Sequence, residues 1–297
     1  MPEISVVIPT KDRLELLKRS IPMFLSYDEV KEVIVVADGC RDGTTEYLAS
    51  ASGSEERIRY VVNEVNRGVC YSRNRGIELA RCEYIFTAED DLELSDNFFT
   101  VLFGHMQESG ADVISARNIF QYGQETTAQA KERADRVVGP FIDRGRIMVK
   151  HEMDTRADTV QPLLSSPVLV RSDVFRKVRF DDGYLVNSWR EESDFQLAAH
   201  SAGFKLVFCP HAITYNLMLE NDRGGVHAAV GIRRVVWVVR NNWRFVNKHR
   251  EAVAREFGVT NLPAYIVRFA AWRALTEIVL PALVNARRRL AGPRPTA

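Results

Sequence analysis

Cysteine is scarce in this chain, and the little there is shows no pairing. Cys40, Cys70, Cys82 and Cys209 are the four among 297 residues, spaced neither as a disulfide framework nor as the CxxC pairs of a zinc site. That excludes a disulfide-built fold and points to a reducing compartment. No run of 18 apolar residues exists, which excludes a membrane-spanning helix. No apolar leader precedes the first strand-like residues, Ile4 to Ile8, so no signal peptide is expected. Internal repeats and low-complexity tracts are missing, which excludes a repeat architecture. Net charge is only +1, too small to suggest a partner by itself.

A hydrophobic content of 46% with 27% charged residues is that of a globular chain that buries a core. The near-neutral total conceals an uneven distribution. From His227 onward there are 13 lysines and arginines against three acids, whereas the preceding residues carry 27 basic and 36 acidic side chains. A basic tail therefore follows an acidic body. Nucleic acid fits this poorly, because the acidic body opposes it and no nucleic-acid motif is present.

The first 116 residues alternate strand and helix patterns. Strands are expected at Ile4 to Ile8, Val33 to Ala37, Ile58 to Val62, Tyr84 to Thr87 and Asp112 to Ala116, with helical periodicity between them. This βαβα order means a mostly parallel sheet with helices on both faces, an α/β fold. From Asn118 to about Gln161 no period persists, and the segment reads as a long excursion over one end of the sheet. Pro167 to Val170 and Lys205 to Phe208 are further strands, the latter stopped by Pro210. Glu192 to Ala202, Val230 to Val246 and Pro263 to Leu290 read as helices. The expected division is a domain at 1–226, with halves 1–116 and 117–226, and a basic helical extension at 227–297.

The chain is organised around Glu83 to Leu94, EYIFTAEDDLEL. A short buried strand ends in Glu89-Asp90-Asp91, and three adjacent carboxylates belong just past its C-terminal end. Ligands bind there in open α/β sheets. Hard oxygen donors so grouped suit Mg²⁺ or Mn²⁺, often accompanied by phosphate; a solvated acidic turn is the bland reading. Asp38 closes the second strand beside Gly39, where it can accept from a ribose or base edge or simply make a turn. Arg73 lies near the start of a helix, where positive charge is unfavourable unless an anion or nearby acids offset it.

Four segments in order resemble the family 2 glycosyltransferases of the GT-A fold. Val6-Val7-Ile8-Pro9-Thr10 is similar to the opening VSVVIPTYNR-type strand, and Val36 to Thr44 to the VDDGSTDGT segment. Asn66-Arg67-Gly68 with Ser72-Arg73-Asn74-Arg75-Gly76 is similar to NxGxxxARNxG, and Glu89-Asp90-Asp91 stands at the DxD position. The resemblance implies that Pro9, Thr10 and Asp38 hold the base and ribose. It assigns Glu89, Asp90 and Asp91 to ribose and the divalent metal, with Asp91 and Glu89 as its ligands and Arg73 nearby. Trp189 to Phe195 is similar to the family's GEDxDL-type segment, implying Glu192 as the catalytic base, with Glu191 second and Asp194 as an orienting group. An acid-rich helix start is the bland alternative.

What the resemblance implies is a hexosyltransferase-type enzyme: inverting, metal-dependent, taking a nucleotide-diphosphate sugar, UDP the first choice. Its acceptor is a surface polysaccharide, a lipid-linked glycan, a peptide or a small molecule. Two alternatives are a non-catalytic nucleotide-sugar-binding scaffold and a sugar-nucleotide pyrophosphorylase. The second should show a glycine-rich loop after the first strand, and Pro9-Thr10-Lys11-Asp12-Arg13 has no glycine. The family commonly places a metal-contacting His where this chain has Asn216, with His211 and His227 as nearby substitutes out of register. Arg223-Gly224-Gly225 can form a lid. The basic tail, with Trp237, Trp243 and Trp272, fits an anionic membrane surface, packing on the core, or a homo-oligomer interface. The expected location is cytoplasmic, with peripheral contact at the inner membrane face.

Overall fold

A computed structural model describes residues 2–186, 188–218 and 231–283. The elements in order are β1 (Ile4–Thr10), α1 (Leu14–Leu25), β2 (Val30–Asp38), α2 (Thr44–Ser54), β3 (Ile58–Asn63), α3 (Val69–Leu79), β4 (Tyr84–Thr87), β5 (Leu92–Leu94), α4 (Phe98–Ser109) and β6 (Val113–Tyr122). There follow α5 (Thr127–Ala134), β7 (Ile142–Asp143), β8 (Met148–Val149), β9 (Thr159–Val160), β10 (Val168–Arg171), α6 (Val174–Lys177), α7 (Glu191–Ser201) and β11 (Leu206–Met218). Last come α8 (Gly231–Lys248), α9 (Arg250–Phe257) and α10 (Leu262–Ala274), continued by a π-helical turn at Leu275–Val279.

The strand order is β3-β2-β1-β4-β10-β6-β11-β5, with β9 also paired to β11. β-Branched residues fill β1 and β2, whose side chains are buried on both faces, as central parallel strands require. Register levels the strand ends. Thr10 pairs with Ala37, Asp38 with Asn63, and Val7 with Thr87. Thr10, Asp38 and the acids after Thr87 therefore emerge along one edge of the sheet. On one face α1 buries Leu17, Ile21 and Phe24, and Phe24, Phe86, Phe98 and Phe99 form an edge-on aromatic cluster. On the other, α3 lies close: a β-carbon at Gly76 would come within 2.5 Å of Val7 Cγ1, so the glycine of that motif is needed for packing.

β10 runs antiparallel between β4 and β6, and β11 runs parallel to β6. β11 does not stop at Pro210. Cys209 pairs with Ala116 and Ile213 with Arg117, so residues 210–212 bulge out, and a proline is tolerated where no ladder N–H is required. The strand then continues, and β5 pairs against it with Asn216 opposite Leu92.

The stretch without periodicity is more ordered than its pattern suggests. β6 runs on to Tyr122, and α5 begins with a capping box between Thr126 and Gln129. β7 and β8 form a small hairpin. In the basic region, Val238, Phe245, Val253, Phe257, Tyr265 and Phe269 join the buried cluster that contains Phe180, Phe195 and Phe208. α9 is an additional helix, ended by Gly258 at φ 72°. His227, Arg223-Gly224-Gly225 and the arginines at 287–289 lie outside the described residues.

Candidate functional site

Asp38 is buried and fully engaged. Its Oδ1 accepts from Asn63 Nδ2 and the Arg67 amide, and its Oδ2 from the Gly68 amide, all at 2.8 Å. Those amides belong to the turn before α3, so Asp38 fixes that turn. Gly39, at φ 67°, lets the same turn approach: a β-carbon there would meet Asn66 N at 2.6 Å.

The three acids after β4 separate into two roles. Asp90 is buried, accepting from Thr10 Oγ1 at 2.7 Å and Arg13 Nη1 at 2.8 Å. It thereby ties the β1 loop to the β4 loop. Glu89 and Asp91 face Asn216, whose Nδ2 donates to Glu89 Oε2 at 3.1 Å and lies 3.5 Å from Asp91 Oδ1. The bulged register of β11 thus delivers position 216 to the acids, as the family pattern implies, but with an amide in place of an imidazole. A small positive centre is already favoured between these carboxylates. Two carboxylates are what Mg²⁺ or Mn²⁺ often takes from protein when phosphate oxygens complete the shell, so this donor set fits the implied cation.

Arg73 is the centre of the site. Its side chain is 2% exposed. Nη1 donates to Glu191 Oε1, and Nη2 donates to Glu192 Oε1 at 3.0 Å and lies 3.5 Å from Glu89 Oε1. The guanidinium also covers the Phe180 ring at 5.3 Å. Acids therefore offset its charge near the start of α3. Burial works against that charge, but Glu191, Glu192 and Glu89 outweigh it and raise its pKa.

Arg73 is one cation among three carboxylates, and the pKa values of two of the three, Glu89 and Glu191, are shifted upward. Burial first, then Asp91 and Glu192, push Glu89 well above the ordinary range, against Arg73. Burial likewise pushes Glu191 up to about 8 despite Arg73, with Glu192 adding to the rise. Glu191 has an 8% exposed side chain and a buried Oε2 with no hydrogen-bond partner among the described residues; Glu192 is 31% exposed.

α7 carries Glu191, Glu192 and Asp194 in its first turn, where the helix dipole favours them. Its seating is built from elsewhere in the chain. Asp194 is wholly buried and accepts from Tyr184 Oη at 2.9 Å and Lys248 Nζ at 2.7 Å, with His249 Nε2 at 2.8 Å. Arg190, at φ 79°, donates to Asn242 Oδ1 at 2.8 Å, the Arg146 carbonyl at 2.9 Å and the Ile147 carbonyl. The C-terminal helices thus hold the acidic helix in place.

Sequence reasoning missed several participants. Arg13, which also reaches Asp91 at 3.2 Å, sits in a loop read only for its lack of glycine. His151 is half-buried with Nδ1 2.9 Å from Ser165 Oγ; burial lowers its pKa, opposed in part by Glu192. It lies in the unpatterned stretch, where nothing local distinguishes it. His211 stacks on His105, rings 4.8 Å apart, rather than joining the acids around Asn216.

Comparison with known proteins gives a consistent result. The family model described as "Glycosyl transferase family 2" matches residues 5–179. A GalNAc(5)-diNAcBac-PP-undecaprenol beta-1,3-glucosyltransferase of Campylobacter jejuni is 30% identical over 115 residues, 38% of this chain and 37% of that protein. In eight curated relatives the matched segments span 37% to 71% of the relative's own length. Among solved structures, a mannosyltransferase from Pyrobaculum calidifontis in complex with GDP-Man and Mn²⁺ superposes with TM-score 0.58 at 12% identity, over 99% of this chain and 81% of that one. Staphylococcus aureus TarS in complex with UDP-GlcNAc gives 0.61 at 13%, over 92% and 73%. At that identity the likeness is one of fold, and the fold is the GT-A arrangement that the motifs imply.

Proposed function

This chain belongs to glycosyl transferase family 2, and we propose that it transfers a sugar, with inversion, from a nucleotide-diphosphate sugar to an acceptor hydroxyl. The observation that carries this reading is the Arg73 clasp. It joins the acids after β4, which suit the diphosphate end of a donor, to the acids of α7, which suit the acceptor end.

In the step proposed, the acceptor oxygen attacks the anomeric carbon from the side opposite the diphosphate. Glu192 takes the hydroxyl proton, the new C–O bond forms, and the old C–O bond breaks with its electron pair leaving on the diphosphate. Glu192 is favoured over Glu191 because its carboxylate is reachable, whereas Glu191 is enclosed and burial pushes its pKa up. Glu89 and Asp91 are the residues that would hold a divalent cation; bound there, it offsets the charge that develops on the leaving diphosphate. Asp38 and Asp90 shape the turns around the nucleotide, with Pro9 and Thr10 lining the base side. Arg73 fixes the angle between the two acid groups.

UDP is the first-choice donor nucleotide; TarS was solved with UDP-GlcNAc and the Pyrobaculum enzyme with GDP-Man. A lipid-linked glycan or surface polysaccharide is the first-choice acceptor, in keeping with the undecaprenol-linked substrate in the name of the Campylobacter relative. Such an acceptor calls for membrane contact. Among the described residues no helix is long and apolar enough to cross a membrane. α8 exposes Ile232, Val236 and Trp243 beside Arg233, Arg240 and Arg244, and α10 exposes Val267 beside Arg268. This face suits peripheral contact with anionic lipid on the cytoplasmic side.

The test is calorimetric titration of UDP, dTDP and GDP with Mn²⁺ or EDTA, followed by turnover of Asp91→Asn and Glu192→Gln. Metal-dependent binding of one nucleotide, weakened in Asp91→Asn, is expected. Glu192→Gln should keep that binding and lose about 10²–10⁴ in kcat. Nucleotide binding with wild-type-like rates in both variants would remove the mechanism, and binding without any turnover would favour the scaffold.

A further inference from the structure

Away from the acid cluster, three metal-ligating side chains from three distant segments converge. Among the described residues, one ligand atom from each of His105, Asp158 and His211 lies within 4.8 Å of the others. His105 projects from α4, Asp158 from the loop before β9, and His211 from the bulge of β11. The bulge matters, because residues 210–212 have no partner on β6 and His211 is carried out of the strand line. Its ring stacks on that of His105 at 20° between planes. His105 Nδ1 lies 2.9 Å from Asp158 Oδ2, and on its other side the Asp158 carboxylate, its Oδ1 buried, has only the thiol of Cys209 beside it among the described residues. A thiol is a weak donor, so a cation would satisfy this enclosed carboxylate better.

The comparable cluster of Asp12, Cys40 and Asp42 is already committed to its own loop. Asp12 accepts from the Arg41 amide and Asp42 from the Leu14 amide.

We propose that His105, His211 and Asp158 form a binding site for a borderline divalent cation, zinc first. Two imidazole nitrogens and one carboxylate oxygen are a donor set that zinc takes readily with a fourth position left to water. They are a poor set for Mg²⁺, which prefers oxygen alone. Bonds of about 2.0–2.2 Å hold such ligand atoms about 3.3–3.5 Å from one another, inside the 4.8 Å spread of the cluster. Zinc would pin α4 and the β9 loop to the bulge of β11. Asn216 lies on the same strand, roughly 15 Å of extended chain further on. The site stands independently of the proposed transferase chemistry.

The test uses the tag-free full chain, stripped of metal and titrated with Zn²⁺ by calorimetry in an Asp91→Asn background, which weakens the acid-cluster site. One zinc per chain is expected, with affinity reduced at least about tenfold by His211→Ala and by Asp158→Asn. His211 is exposed, so its replacement should leave the metal-free melting temperature unchanged. Co²⁺ should give the visible d–d bands of a four-coordinate nitrogen–oxygen site, absent in His105→Ala. No zinc binding by the parent, or equal binding by His211→Ala and Asp158→Asn, overturns the proposal.

Discussion

Arg73→Met separates a structural hub from an incidental contact. The substitution keeps most of the buried stem and removes the guanidinium that pairs with Glu191, Glu192 and Glu89. Removing one side of a buried charged cluster costs about 3–5 kcal/mol, because the polar groups left behind stay buried without their partner. The dependence on pH is more diagnostic. A carboxyl that keeps its proton when folded and loses it when unfolded lowers stability by about 1.4 kcal/mol per pH unit between the two pKa values. For Glu191 that window extends from the ordinary carboxylate range to about 8. Its pKa is raised, so its favourable contribution is complete at acid pH and fades as pH rises. Without Arg73 the upper limit moves higher still. Through Glu191 the variant's deficit should therefore widen above about pH 8, where the wild type has released the proton and the variant still holds it, and the loss of Arg73 beside Glu89 and Glu192 acts in the same direction. Denaturant unfolding with EDTA, at about pH 6, 7, 8 and 9, measures this. Arg73→Lys should recover only part of the loss, since one ammonium cannot span three carboxylates. A deficit below about 1 kcal/mol, or one that narrows above pH 8, would refute the reasoning.

Asn216→His should let an imidazole join Glu89 and Asp91, lowering the Mn²⁺ concentration for half-maximal nucleotide binding several-fold; an unchanged or higher requirement would place the imidazole outside the site. Asp181 anchors α8 through Arg244 and Lys248. Burial alone would raise its pKa, but those hydrogen bonds bring it down to about 2, so its contribution is present above about pH 4 and lost as pH falls toward 2. Asp181→Asn should cost about 2 kcal/mol at neutral pH and flatten the acid limb of the unfolding profile, which urea melts at several pH values will reveal. Val236→Glu with Trp243→Glu should abolish flotation with anionic vesicles while leaving nucleotide binding intact. Equal flotation would remove the membrane role of that face, and a change in sedimentation alone would assign it to a second copy.

Much of the nucleotide half was legible in the sequence, and the reason is local. β-Branched runs, helical spacing and the residues that end each strand lie within a few positions of one another, so periodicity fixes the βαβ order and places Thr10, Asp38 and Glu89 to Asp91 at strand ends. The capping box at Thr126 was equally local and marks the one helix in the unpatterned stretch that a closer reading could have found. The Arg73 clasp had no such signal. Its partners on α7, Glu191 and Glu192, are 118 and 119 residues away, and only the strand order, with the seating of α7 against α8, brings them to it. Asn216 reaches the acids because β11 bulges and then resumes pairing, a register that Pro210 argues against when read in isolation. His105, Asp158 and His211 meet for the same reason. The sequence by itself determined which residue types stand at each strand end. Which of them face one another was decided by tertiary structure, because side-chain pairing across the sheet depends on crossovers and register that no local period encodes.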